Sequence, residues 1–320
     1  GYIGSIMVRR LLEEGYEVLV LDNLARGHRK AIDPRAKLFI GNLYNDIFLL
    51  DIFRNQKIQA VLHFAGYISM EESVKFPGMY FANNVFCAIN VLQKMKEFGV
   101  HNFVFSSTAG VYGNPVTVPI PEVHPTNPLN PYGESKLMVE KVLSWYQSTY
   151  DLNFVSLRYF NAAGALLDGG MGEDHRPETH IIPNAIRAAH TKGTFTLYGN
   201  DYNTKDGTCV RDYVHVIDLV EAHILALRLL EKKKGGFFYN VGTGLGCTNK
   251  EVVDMVKKIS GVDIIVAIKG RRSGDAQALV ADPARIKNEL GFSPQYSDLE
   301  TIVKSAWLWH TKHPKGYLES

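Results

Sequence analysis

The sequence predicts an α/β protein: a doubly wound parallel sheet joined to a smaller α/β unit. Three observations predict it. Near-continuous apolar runs of strand length alternate with amphipathic helical segments through the first half of the chain, the pattern of strands buried on both faces. A glycine turn opens the first helix, as in the phosphate-binding loops of such sheets. Carboxylates and hydroxyls fall where the strand runs end, and crevices at the carboxyl ends of parallel strands are where these sheets bind ligands.

In order, Gly1-Tyr2-Ile3-Gly4-Ser5 reads as the second half of a G-x-x-G-x-x-G loop, followed by a helix over 5–14. The strand and first glycine that precede such a loop, about eight to ten residues by ordinary strand length, are absent from this reading. Val18-Leu19-Val20-Leu21 is the next strand and ends at Asp22-Asn23. Further buried strands fall at 38–40, 60–64, 103–105 and 154–157, with helices at 46–55, 84–98 and 132–150. Residues 114–131 hold six of the thirteen prolines, so this stretch is an extended loop. Beyond 162 the spacing loosens into glycine-rich turns at 164–172, a helix over 216–232, a strand over 237–241 and a last helix over 299–310. A nucleotide-binding unit over 1–162, with a returning segment near 210–243, and a second unit over 163–320 follow. No repeat or low-complexity linker separates them, so they are expected to pack tightly.

The chain has 320 residues, 46% hydrophobic and 21% charged, with a net charge of +2. That balance suits a soluble globular protein, and without a basic block it gives no reason to expect nucleic acid or an anionic membrane as partner. No apolar run reaches spanning length. Cys87, Cys209 and Cys247 are few and scattered, which fits a cytoplasmic protein without disulfides. The eleven histidines show no metal-ligand spacing, so no metal is expected.

The chemistry concentrates in Tyr132-Gly133-Glu134-Ser135-Lys136, just after Asn130-Pro131. Asn and Pro suit the cap and first position of a helix, so phenol and ammonium project from one face of its opening turn. Lowering a phenol by about three pH units takes roughly 4 kcal/mol. One cation about 5 Å away at an effective dielectric of about 20 offers up to roughly 3 kcal/mol. Lys136 would then do most of the work, and a second positive charge the rest. Alone, such a pair is equally an ordinary surface Tyr and Lys. Asp22 ends its strand eighteen residues after Gly4, where a carboxylate holds an adenosine ribose; Arg26 nearby leaves a phosphorylated dinucleotide open. His63-Phe64-Ala65-Gly66 and Ser106-Ser107-Thr108 end the next two strands. Thr108 can bridge the phenol and a substrate hydroxyl, or simply bond backbone.

These stretches, with Ser106-Ser107-Thr108-Ala109-Gly110-Val111-Tyr112-Gly113 and Arg158-Tyr159-Phe160-Asn161, resemble the extended short-chain dehydrogenase/reductase superfamily with its Rossmann-like sheet. Gly172-Glu173-Asp174, Gly199-Asn200-Asp201-Tyr202, Asp206-Gly207-Thr208, Val210-Arg211-Asp212-Tyr213-Val214-His215 and Arg271-Arg272-Ser273-Gly274-Asp275 are similar to its UDP-sugar 4-epimerases. The resemblance covers essentially the whole chain. It implies NAD held by Gly1, Tyr2, Ile3, Gly4, Asp22, Asn23, Asn42, Leu43, Phe64, Ala65, Gly66, Asn84, Lys136 and Phe160. It implies a UDP-sugar held by Thr108, Asn161, His180, Ile181, Thr196, Leu197, Tyr198, Arg211, Arg272 and Asp275, with Tyr132, Lys136 and Thr108 as the catalytic set. The implied reaction interconverts UDP-galactose and UDP-glucose by transient oxidation at C4, in a homodimer. Asn42 replaces the family's usual Asp near the adenine, and Leu279 falls at a gate beside the hexose.

A 4-epimerase of another UDP-sugar and a catalytically silent nucleotide-binding protein on the same fold are the competing readings. A 4,6-dehydratase fits less well, because Ala109-Gly110 follow Thr108 where that group carries Asp-Glu. A molecule physically starting at Gly1 is expected to expose unpaired strand edges, to be poorly stable and to hold NAD weakly.

Overall fold

The computed structural model describes residues 1–272 and 275–318. The first unit contains α1 (Tyr2–Glu13), β1 (Leu19–Asp22), β2 (Lys37–Ile40), α2 (Asp46–Asn55) and β3 (Ala60–His63). It continues through α3 (Met70–Lys75), α4 (Pro77–Tyr80), α5 (Cys87–Glu97), β4 (Asn102–Thr108), α6 (Pro131–Tyr150) and β5 (Asn153–Tyr159). The second contains β6 (Asn161–Ala163), α7 (Ile181–Thr191), β7 (Thr194–Tyr198) and β8 (Val210–His215). The chain returns to the first unit with α8 (Val216–Lys232) and β9 (Gly236–Val241). It ends with β10 (Gly246–Thr248), α9 (Asn249–Ser260), β11 (Ile265–Lys269), β12 (Ala278–Leu279), α10 (Ala284–Leu290) and α11 (Leu299–Lys312).

The sheet is parallel, as the apolar runs predict, in the order β3-β4-β5-β9. β1 and β2 form a separate parallel pair. Among the described residues no ladder joins β1 to β3; both strands line one cavity with α1. Leu92, Met95, Phe103, Phe105, Val139 and Leu143 fill one face of the sheet, while Val155, Leu157, Leu219, Ala222 and Ala226 fill the other. Burying such side chains contributes about 1.5–3 kcal/mol each. The segment over 210–243 divides its pairing between two sheets. β8 pairs with β6, β10 and β12 in the second unit, and only α8 and β9 come back. The expected helix over 84–98 begins instead as a π-helical turn, Phe81–Phe86, and becomes α-helical at Cys87.

α6 starts where the sequence places it, with Asn130 Oδ1 accepting the Gly133 amide at 2.9 Å and Pro131 in the first turn. One turn beyond Lys136, buried Glu140 accepts Ser107 Oγ at 2.6 Å, Ser156 Oγ at 2.8 Å and Arg158 Nη2 at 2.7 Å. Arg158 Nη1 donates to Tyr112 Oη at 3.0 Å and to the Glu122 carbonyl at 3.2 Å. Tyr112 donates in turn to Asn240 Oδ1 at 2.7 Å. One buried network therefore fastens α6, β4, β5, β9 and the proline-rich loop together. Each member is satisfied, which is the condition under which a buried ion pair is tolerated.

Candidate active site

A cavity of about 1430 Å³ runs from the start of α1 past the carboxyl ends of β1, β3, β4 and β5. Gly1, Tyr2, Ile3, Gly4, Asp22, Asn23, Asn42, Leu43, Phe64, Ala65, Gly66, Thr108, Tyr132, Lys136, Phe160, Asn161 and His180 all line it. The structure thus gathers most of the site residues picked from sequence. A smaller cavity of about 670 Å³ around 291–298 contains none of them.

At its centre, Tyr132 and Lys136 are 8% and 3% exposed. Gly133 brings them there: a Cβ at Gly133 would lie 2.7 Å from the Gly110 carbonyl oxygen. Only glycine lets the first turn of α6 press onto the turn after β4. The contact sets Tyr132 beside Thr108, whose Oγ1 accepts the Gly110 amide at 3.0 Å. The backbone bond expected of Thr108 is therefore present. Lys136 Nζ donates to the Ser106 carbonyl at 2.9 Å and sits 5.0 Å from the Phe105 ring centroid. Gly66 closes the far side, where a Cβ would meet Lys136 Nζ at 3.3 Å and Asn84 Oδ1 at 3.2 Å.

Burial sets the electrostatics of this pair. Burial pushes the Tyr132 phenol above its ordinary range, and the Thr108 hydrogen bond opposes that only in part. Lys136 is not among the groups that shift it. Burial instead brings Lys136 itself down to about 8, so it is still mainly protonated at pH 7. Burial, and then the charge of Lys136, lower His63 to about 3 and keep it neutral.

Other residues fall into three groups. Asn84 does not line the cavity. Its buried amide is spent on the Tyr67 backbone, at 2.8 and 3.0 Å, and on Ser135 Oγ at 3.0 Å. It therefore positions the wall behind Gly66. Leu197 is buried in the core of the second unit and Ile181 packs against it. Arg211, Arg272, Asp275 and Tyr198 come together. Asp275 lies 3.6 Å from Arg211 Nη2 and 3.1 Å from Arg272 Nε, and the Arg272 guanidinium sits 4.7 Å from the Tyr198 ring centroid. Thr196 is two residues before Tyr198 on β7. Ser273 and Gly274, within the same motif, lie outside the described residues. Arg26, left open by the sequence, is engaged by Glu72 Oε1 at 2.8 Å and the Arg176 carbonyl at 3.1 Å. Sequence spacing also missed that His175 and His180 converge with Glu173 and Glu178, contrary to the expectation of no metal-ligand grouping.

The residues present fit a dinucleotide. The first turn of α1 has no side-chain cap and no acidic residue, so its free amides face the cavity ready for phosphate oxygens. Asp22 lines the same cavity at the end of β1. An uncapped glycine-opened helix, a strand-end carboxylate and a buried Tyr–Lys pair in one crevice define a dinucleotide-using enzyme of the short-chain dehydrogenase/reductase type. Comparison with known proteins narrows the class. A model of the NAD dependent epimerase/dehydratase family matches residues 1–242, and the chain belongs to that family. It is 48% identical over 318 residues to the UDP-glucose 4-epimerase of Lactobacillus helveticus, covering 99% of this chain and 96% of that protein. Its fold is similar to UDP-glucose 4-epimerase from Brucella ovis in complex with NAD, at TM-score 0.93 and 42% identity, covering 96% and 94% of the two chains. It is also similar to the Bifidobacterium longum UDP-glucose 4-epimerase in complex with NAD+ and UDP, at TM-score 0.93 and 35% identity, covering 99% and 97%.

Because Lys136 is held near 8 rather than its ordinary 10.5, its burial costs stability wherever the unfolded chain binds the extra proton. That cost is fully present below pH 8 and fades as pH rises toward 10.5. After allowing for the lost bond to Ser106, Lys136→Met is expected to stabilise the NAD-stripped protein by about 2 to 3 kcal/mol at pH 7. Urea unfolding at pH 7 and pH 10 checks this: the gain should shrink at pH 10, and a destabilised variant at pH 7 would contradict it.

Proposed function

We propose that this protein interconverts UDP-galactose and UDP-glucose by carrying the sugar's C4 through a ketone. NAD, when bound, supplies the hydride acceptor and returns the hydride, so no external oxidant is consumed. Tyr132 takes the proton from the C4 hydroxyl, directly or through Thr108. Lys136 holds a buried positive charge beside the reacting centre. Gly1 to Gly4 and Asp22 grip the dinucleotide. Arg211 and Arg272 suit the UDP diphosphate because their planar forks pair with phosphate oxygens and stay charged; Asp275 orients both. β6 continues from Asn161 into the ladder with β8, two residues from Arg211, so the nucleotide end of the substrate is anchored on the second unit. A firm grip there, with a looser grip on the hexose, lets the ketone present its other face before the hydride returns.

The observation that carries this reading is the joint lining of one cavity by Thr108, Tyr132, Lys136, Phe160 and Asn161. Incubating the NAD-loaded protein with UDP-galactose is expected to yield UDP-glucose, with UDP-N-acetylgalactosamine run in parallel to rank substrates. Tyr132→Phe should lower the rate about a thousandfold. Conversion undiminished in that variant, or none in the wild type with NAD bound, would refute the assignment.

We further propose that the protein works in the cytoplasm as a homodimer. Its three cysteines are free, and no described helix is long and apolar enough to cross a membrane. Met138 and Trp145 are 38% and 73% exposed on α6, seven residues apart and so on one face. Trp145→Glu is expected to convert a dimer to a monomer in sedimentation; a wild type that sediments as a monomer would end this proposal.

A further inference from the structure

Between β6 and α7 the chain folds so that Glu173, His175, Glu178 and His180 aim their donor atoms at one point, all within 4.8 Å of one another. His180 Nδ1 lies 2.7 Å from Glu173 Oε1 and 3.1 Å from Glu178 Oε1. His175 Nδ1 lies 2.9 Å from the same Glu173 oxygen. The two rings are 5.4 Å apart. Two imidazoles therefore crowd one carboxylate oxygen, with a second carboxylate beside them.

Two independent features distinguish this from ordinary His–carboxylate bonding. The first is charge. Glu173 is 4% exposed, and the ion-pair partners recorded for it among the described residues are His175 and His180 alone. Arg176, three residues on, turns away to Asp174 and the Lys315 carbonyl. A buried carboxylate calls for positive charge beside it, and a divalent ion held by all four donors would supply it. The second is donor chemistry. Two nitrogens and two carboxylate oxygens, without thiolate, are a set taken by first-row divalent ions of borderline softness, rather than by Mg²⁺ or Ca²⁺. Donors about 2.0–2.2 Å from a tetrahedral ion lie about 3.3–3.5 Å apart. The contacts of 2.7 to 3.1 Å would open slightly, and the donor pairs lying farther apart, up to 4.8 Å, would draw in to admit one.

We infer that Glu173, His175, Glu178 and His180 form a binding site for a single divalent transition metal of the zinc class. Each ring would ligate through Nδ1 and keep its proton on Nε2. Glu173, His175 and His180 line the same cavity as Tyr2, whose ring meets His175 edge-on at 6.4 Å. The ion is thus a clip, joining the 173–180 loop to the start of α7 along the cavity wall. It takes no part in proton removal at Tyr132, and the inference stands independently of the epimerase reading.

The test reads metal rather than turnover. The full chain is stripped with chelator and titrated with Co²⁺ alone. The expected result is one Co²⁺ per chain with the intense visible bands of a tetrahedral site, displaced by Zn²⁺. The double variant His175→Asn with His180→Asn should lose those bands and bind at least about a hundredfold more weakly, with folding checked by circular dichroism. The milder Glu178→Gln should weaken binding about tenfold. The inference is overturned if the wild type takes up no stoichiometric Co²⁺ or gives only the weak octahedral spectrum. Equally tight binding by the folded double variant, the mark of an adventitious surface ion, also overturns it.

Discussion

The close approach of Gly133 to the Gly110 carbonyl governs this molecule's chemistry. It seats the first turn of α6 against the end of β4 and leaves Tyr132 with Thr108 as its hydroxyl partner. The same turn carries Lys136 into the wall formed by Ser106, Phe105 and Gly66. Nothing on the surface of α6 could hold that geometry alone. The network of Glu140, Arg158, Tyr112 and Asn240 supports it from one turn further along the helix.

That placement has an energetic cost. Burial disfavours both charged forms, raising the phenol and lowering the ammonium. A buried lysine kept at such a cost is a common mark of functional sites. A raised phenol is also selective. Under the proposed function, positive charge entering the cavity would favour its ionisation, so base and oxidant would become available together.

Much of this was legible in the sequence. Apolar runs located the parallel strands because a strand buried on both faces admits few polar residues, as in Phe103, Val104 and Phe105. Asn130-Pro131 located the start of α6 because capping is local. What failed to show was three-dimensional. The need for glycine at 133 depends on a loop twenty-three residues away in sequence. The π-helical turn around Asn84 gives its amide to Tyr67 and Ser135, partners that the sequence alone does not reveal. Spacing brings Lys136 near Tyr132 but does not report the desolvation that raises the phenol and lowers the ammonium. The Glu173 to His180 grouping departed from familiar metal spacings, and only the folding of its loop revealed it.

The most direct measurement is the ionisation of Tyr132 itself, followed as phenolate absorbance in the wild type minus Tyr132→Phe. In the NAD-stripped protein the phenol should titrate above its ordinary value of about 10. Loading NAD should bring it down by several units. A phenol indifferent to NAD, or already ionised near neutrality without it, would contradict the account.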